Sequence, residues 1–296
     1  MIQQAQPDSP GGSPQASASG RRAMDGVRTR GFTQPTIPAG YAKYLLGQLF
    51  EPWARDMIGR GAPRQGEAVL DLATGLGPVA RLAAAIVGAS GRVVASDISP
   101  AMLAVAAARP VDPDWAPIEY LECPASAIDT ADDSFDVAYC SHGLEFFAER
   151  ETALSEIYRV VRPGGMALMS VWAAEHPVGL FSQLGQTMRE IGLSQPYSRA
   201  YDADSYRMSG PELQRMVQAA GFCDVKVEMV ELEGHWDNPD DAANTVQGTP
   251  FGPLVAAMPA EDQQRMRKIL LSKLGGSAGG VTVRSISNVV IGTKQR

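Results

Sequence analysis

The sequence predicts an α/β fold built on a parallel sheet, and two observations carry the prediction. Five short apolar runs alternate with amphipathic helical stretches between residues 68 and 172, and a glycine turn, Gly75-Leu76-Gly77, joins the first run directly to a helix. Strands buried on both faces read as near-continuous apolar runs, and regular strand–helix alternation implies crossover helices that cover such a sheet.

Taken in order, residues 1–30 are rich in Gln, Ser, Pro, Gly and Ala with almost no large apolar side chain. Such a segment cannot bury enough surface to offset its ordering entropy, and a disordered tail is expected. Its basic residues, Arg21, Arg22, Arg28 and Arg30, read as a solvated cluster. Residues 31–66 form an N-terminal helical cap, helical from Tyr41 to Ile58, in which Pro52 opens a second helix. The main domain spans 67–296. Its strand runs are Ala68–Leu72, 92–96, 118–123, Phe135–Ser141 and 166–172. Val79, Leu82, Ala83, Ile86 and Val87 make one helical stripe, and Leu154, Ile157, Tyr158 and Val161 another. Ser209 with Glu212 three residues on resembles a capping box, opening a helix that stops at Gly221. Two more strand-like runs, 224–232 and 281–292, enclose a helix over 261–274, and there are no internal repeats.

Bulk composition narrows the function classes. The 296 residues are 45% hydrophobic and 20% charged, which suits an ordinary globular core. A net charge of −7 argues against a polynucleotide substrate, whose phosphates need a concentrated positive field. Three cysteines, Cys123, Cys140 and Cys223, are odd in number and share no metal-ligand spacing with the three histidines. Free buried thiols in a reducing compartment fit best. No apolar stretch reaches a membrane span and residues 1–30 lack a secretory core, so a cytoplasmic location is expected.

The chemistry is carried by Val69-Leu70-Asp71-Leu72-Ala73-Thr74-Gly75-Leu76-Gly77. Glycines there let a ligand approach the backbone, and free N–H groups at the helix start favour a polar or anionic group. Gly75-x-Gly77-x-x-Ala80 also fits the dinucleotide fingerprint, with Asp97 twenty-two residues after Gly75 to hold a ribose. Up to this point a nicotinamide-dependent oxidoreductase fits equally well. Three features separate the two readings: Asp71 closing the strand, Asp133-Ser134-Phe135-Asp136-Val137 followed by Leu144-Glu145-Phe146-Phe147, and Val160-Val161-Arg162-Pro163-Gly164-Gly165.

With these segments the chain resembles the class I S-adenosylmethionine-dependent methyltransferases, within them the small-molecule group similar to the ubiquinone and menaquinone methyltransferases. The likeness runs from about Tyr41 to about Gly292, and its specific part is Val69 to Trp172. It implies a Rossmann-like seven-stranded sheet with the last strand antiparallel, and helical lid inserts at 173–208 and 233–280. It further implies that Asp71, Ala73, Gly75 and Gly77 hold the methionine end of S-adenosyl-L-methionine. Asp97 would accept the ribose hydroxyls, and Ile98 and Met102 would pack on the adenine. Where the family often has Gly-Asp-Ala after the third strand, this chain reads Cys123-Pro124-Ala125, leaving Ala125 and Ser126 to supply adenine contacts. Ala73 stands where many members have glycine. Ser141 ends the fourth strand beside the cofactor.

Methyl transfer from a sulfonium asks the protein for alignment and exclusion of water, and for a base only if the acceptor must lose a proton. His142 is the first candidate base, since its intrinsic pKa suits proton removal near neutrality; the plainer reading has it shape the pocket. Glu145 either orients His142, meets a cationic acceptor, or is an exposed helix-start glutamate. His176 and His235 read as surface residues of the inserts, and Tyr41 and Tyr44 as lid residues. Phe181, Met188, Tyr197, Tyr201, Tyr206, Met208, Trp236 and Phe251 suit a mostly apolar acceptor of moderate size, or glue the inserts down. No Asn-Pro-Pro-Tyr-type run follows the fourth strand, which lowers macromolecular acceptors. A small-molecule acceptor, methylated on oxygen rather than nitrogen or carbon, is therefore expected. A non-methylating protein that uses the cofactor to place another substrate is the alternative, and the oxidoreductase ranks below it.

Overall fold

The computed structural model describes residues 32–176, 178–192, 206–275 and 279–296. The predicted tail, Tyr197 and Tyr201 lie outside them. Seven strands form one sheet: β1 Ala68–Leu72, β2 Arg92–Asp97, β3 Ile118–Glu122, β4 Phe135–Ser141, β5 Val161–Trp172, β6 Cys223–Trp236 and β7 Val281–Thr293. Their order is β3-β2-β1-β4-β5-β7-β6. β1 to β5 are mutually parallel, and β7 runs antiparallel between β5 and β6. The order reverses beside β1, with β2 on one flank and β4 on the other, which places a crevice at the carboxyl ends of these strands.

The cap is helix α1 (Ile37–Tyr41), a π-helical stretch Ala42–Phe50 and α2 (Glu51–Gly61), with Pro52 in the first turn of α2 as expected. Helices α3 (Pro78–Val87) and α4 (Pro100–Ala107) follow β1 and β2, and α5 (Arg150–Val160) leads into β5. The first insert carries α6 (Leu180–Glu190), and α7 (Gly210–Ala219) precedes β6. The second insert holds α8 (Pro239–Asn244), a 3-10 turn Thr245–Gly248, α9 (Gly252–Ala256) and α10 (Ala260–Leu274). Two large apolar cores flank the sheet, beside a smaller cluster of Ile37, Leu46, Leu76 and Met102. On one face of the sheet α2, α3 and the insert helices bury Trp53, Val79, Leu184 and Leu270; on the other α5 and α7 bury Leu154, Ile157, Leu213 and Val217.

Two boundaries differ from the sequence reading. β5 starts at Val161, five residues early, because Gly164 and Gly165 exchange backbone hydrogen bonds with Lys294 just past β7. β6 continues to Trp236, so the second insert begins after it rather than at residue 233. The reason is tertiary: the Trp236 ring is buried and its Nε1 donates to the Tyr44 carbonyl at 2.7 Å. Trp53 ties the cap down similarly, its Nε1 donating to Ser285 Oγ at 3.1 Å. The Ser209 cap forms as expected, its hydroxyl accepting from the Glu212 amide. Cap and second insert meet backbone to backbone. A Cβ at Gly40 would lie 2.5 Å from the Gln247 carbonyl, and one at Gly248 2.7 Å from Tyr41 Cα.

Candidate functional site

A cavity of about 320 Å³ opens at the carboxyl ends of β1, β2, β4 and β5, roofed by the cap and the second insert. At the β1 end, Ala73, Gly75 and Gly77 all take left-handed φ values, +57°, +55° and +77°. That turn explains the family preference for glycine at position 73, since a Cβ is strained there. Asp71 sits behind the turn. It is 2% exposed, does not line the cavity, and its Oδ2 accepts from Thr74 Oγ1 at 2.6 Å and from the Ala80 amide at 2.9 Å. The carboxyl thus clamps the turn to the first turn of α3, and burial pushes its pKa up to about 7. Gly77 is likewise off the cavity wall and caps α3, whereas Ala73 and Gly75 line it.

Asp97 stands at the end of β2, inside the cavity. Its Oδ2 accepts from the Gly75 amide at 2.8 Å and its Oδ1 from the Ser99 amide at 2.9 Å, while burial raises its pKa. Each oxygen keeps a further lone pair, enough for a pair of vicinal hydroxyls. Beside it Ile98 is 40% exposed within the cavity wall, and Met102, Cys123, Pro124, Ala125 and Ser126 complete this end. An exposed β-branched side chain beside a carboxylate with unused lone pairs sets an apolar face and a hydrogen-bond acceptor side by side.

A ring cluster lines the wall beside β5, with Trp172 6.4 Å from Phe50 and 5.5 Å from Phe181. Tyr41, stacked 4.8 Å from Phe50, links it to the Met102 side, where Phe146 meets Phe32 at 4.9 Å. Thr249, Pro250 and Phe251 close the top. Phe181, Tyr206 and Phe251 therefore reach the cavity, whereas Met188, Met208 and Trp236 are buried in packing outside its wall. Tyr41 lines it and Tyr44 does not. Phe32, Phe50 and Phe146 were missed: each sits in an ordinary apolar pattern and only chain docking turns it inward.

His142 and Ser141 line the cavity floor. The imidazole stacks on Trp172 at 4.0 Å and meets Trp53 edge-on at 5.1 Å. Its Nε2 is 2.9 Å from Ser287 Oγ, and its Nδ1 is 3.3 Å from both Ser141 Oγ and Ser170 Oγ. Burial pushes its pKa down to about 3, so the ring is neutral and a weak base, against the expectation of a base tuned near neutrality. Glu145 is not an exposed helix-start residue. It is fully buried beside the cavity rather than in it, and burial pushes its pKa up to about 8 although the Arg150 and Arg207 guanidinium groups favour its charged form. His235 lies off the cavity, paired with Thr282 and Asp237, and His176 does not line it either. Among the described residues no cluster of His, Cys, Asp and Glu could hold a metal ion, and no helix is long and apolar enough to cross a membrane.

A 3-2-1-4-5-7-6 sheet whose carboxyl ends open on a cavity bordered by the glycine turn and Asp97 is that of a Rossmann-like S-adenosylmethionine-dependent methyltransferase. The chain belongs to the ubiE/COQ5 methyltransferase family, whose model matches residues 45–232. It is 36% identical over 185 residues to a ubiquinone/menaquinone biosynthesis C-methyltransferase, UbiE, of Xylella fastidiosa, covering 59% of this chain and 73% of that one. Among solved structures, its fold is similar to the YcgJ protein of Bacillus subtilis, with TM-score 0.55, 17% identity, and coverage of 82% and 98%. It is similar too to phosphoethanolamine N-methyltransferase 2 of Haemonchus contortus bound to S-adenosylhomocysteine, with TM-score 0.59, 19% identity, and coverage of 92% and 60%. Family membership sets aside the oxidoreductase reading of the glycine turn.

Proposed function

We propose that this chain transfers a methyl group to a small, mostly apolar acceptor held against the ring cluster of the cavity, with S-adenosyl-L-methionine at Asp97. The observation that carries this reading is one cavity whose wall holds both the Asp97 carboxylate and a connected ring cluster of Phe50, Trp172 and Phe181. When bound, the cofactor supplies an activated methyl on a sulfonium. The chain's own residues do the rest. Asp97 accepts the ribose hydroxyls, Ile98 and Met102 pack on the base with Ala125 and Ser126 at its edge, and Ala73 and Gly75 border the amino-acid end. Asp71 and Gly77 act from behind, holding the turn. The rings exclude water, which favours a charge-dispersing displacement.

The surroundings of His142 bear on the acceptor atom. His142 is neutral, weakly basic and held by serine hydroxyls, so the site supports an acceptor that is already electron-rich. Carbon methylation of a hydroquinone-type ring, whose hydroxyls supply the electron density and whose ring C–H proton is lost to solvent as the ring regains aromaticity, meets that condition and agrees with the name borne by the similar Xylella protein. Oxygen methylation is the second reading, favoured by one observation: Ser141 and His142 face the cavity, where a phenolic oxygen could hydrogen-bond. The free state of Cys123, Cys140 and Cys223 supports action in a reducing compartment. The test is incubation with methyl-¹³C-labelled S-adenosylmethionine and a prenylated naphthohydroquinone, followed by ¹³C NMR of the product. A ring-carbon methyl supports the first reading and a methyl ether the second. Tight cofactor binding without acceptor-dependent S-adenosylhomocysteine across a panel of hydroquinones and phenols would favour the non-methylating alternative.

A further inference from the structure

Three adjacent strands each direct a serine hydroxyl at one buried imidazole. Ser141 ends β4, Ser170 lies opposite it on β5, and Ser287 lies opposite Trp172 on β7. Ser170 and Ser287 are fully buried, and His142 is 6% exposed. A buried hydroxyl has one proton to donate and is costly to leave unmatched, so the donor–acceptor directions in this cluster can be worked out by elimination.

Ser287 Oγ has a single hydrogen-bonding neighbour among the described residues, His142 Nε2 at 2.9 Å. Were Nε2 to carry the ring proton, the Ser287 hydroxyl proton would have no acceptor in a place water does not reach. Ser287 therefore donates to Nε2. The neutral ring then carries its proton on Nδ1, and Nδ1–H donates to Ser141 Oγ and Ser170 Oγ, both at 3.3 Å. Ser170 Oγ already accepts from the His142 amide at 3.2 Å, and its own proton goes to Ser141 Oγ at 3.4 Å. Ser141 is the end of the chain. It receives hydrogen bonds from His142 and Ser170, finds no acceptor for its own proton among the described residues, and lines the cavity. His142 is held for this task at φ +53°, a left-handed conformation that its backbone bond to Ser170 stabilises.

We infer that Ser287, acting through His142, makes Ser141 an obligate hydrogen-bond donor to a ligand oxygen in the cavity, the carboxylate of the cofactor's amino-acid end. That end is chosen by position. The loop after β4 lies against the β1 turn, where a Cβ at Gly143 would meet Ala73 Cβ at 2.6 Å, so Ser141 borders the turn rather than the Ile98 end. The inference rests on the cofactor placement proposed above. Ser287 and His142 are positioning residues here; Ser141 alone touches ligand.

Two measurements on the full chain test it. The first is ¹⁵N NMR of histidine-labelled protein, readable because there are three histidines, with His142 assigned through the His142→Gln variant. The expected result is a neutral His142 protonated on Nδ1 at pH 7, shifting towards the Nε2–H form in Ser287→Ala and unchanged in Ser287→Thr. The second is calorimetric titration with S-adenosylhomocysteine and with 5′-methylthioadenosine, which lacks the amino-acid end. A hydrogen bond to a charged acceptor predicts that Ser141→Ala weakens S-adenosylhomocysteine by about tenfold or more and leaves methylthioadenosine unchanged. Ser287→Ala should give a smaller loss with the same selectivity, restored by threonine. Ser287→Cys, a weak donor of similar size, replaces the alanine variant if that fails to fold. An Nε2–H tautomer in the parent protein, or equal loss for both ligands in Ser141→Ala, overturns the inference. Failure of the parent protein to bind either ligand overturns the cofactor placement instead.

Discussion

Asp71 offers the sharpest test of how the cofactor turn works, because sequence likeness and structure give it different jobs. Both of its side-chain hydrogen bonds, from Thr74 Oγ1 and the Ala80 amide, land on the same oxygen. Asp71→Ala leaves two buried donors unmet at about 1–3 kcal/mol each, partly offset because the carboxyl no longer has to be buried. A net loss of about 2–4 kcal/mol lowers the melting temperature by roughly 3–7 °C in a chain of this size. Asp71→Asn keeps one oxygen able to accept both bonds, so it should recover most of that loss. Thermal melts and titration with S-adenosylhomocysteine are run in parallel on both variants. In the turn-clamp account, affinity follows stability: poor in Asp71→Ala, near the parent value in Asp71→Asn. Parent-like melting in Asp71→Asn with affinity lost more than tenfold would refute the clamp and restore a direct contact to the ligand's ammonium.

Other expectations follow from the same geometry. Asp97→Ala should weaken S-adenosylhomocysteine by about a hundredfold or more, since two ribose hydroxyls lose a charged acceptor. Ile98→Ala should weaken it a few-fold with little change in melting, because that side chain is 40% exposed; calorimetry beside a thermal melt checks both. Gly40→Ala pushes a methyl against the Gln247 carbonyl, loosening the cap by about 1–3 kcal/mol, and stopped-flow fluorescence should show faster S-adenosylhomocysteine release. Glu145 gives a pH signature. Its carboxyl, raised from 4.5 to about 8, holds a proton in the folded state that the unfolded chain releases, so it costs stability progressively as pH rises through that window. Asp71, raised from 3.8 to about 7, acts in the same direction, and His142, lowered from 6.5 to about 3, acts oppositely but only below pH 6.5. Urea melts should therefore show the parent losing stability from pH 6.5 to 8, and Glu145→Gln losing less, with an upper bound of roughly 2 kcal/mol between them over that range. A flat difference across that range would remove Glu145 from the account.

The sequence alone determined the parallel sheet, the cofactor turn and the carboxylate that follows the second strand. These are local facts. Periodicity marks which residues face a core, and φ > 0 at Gly75 and Gly77 is a property of a few successive residues. The Ser209 cap and the helix near 261–274 were legible for the same reason. Tertiary structure decided what residues separated by a hundred or more positions do to one another. Only the fold brings Ser287 to His142, 145 residues apart, and buries the ring deeply enough to lower its pKa. Only packing against Tyr44 extends β6 to Trp236, and only the meeting of Gly40 with Gln247 roofs the cavity. Charge state and burial are set by the whole surroundings of a group, whereas a sequence window records its chain neighbours; hence Glu145, which follows a strand end where solvent exposure is usual, turned out fully buried.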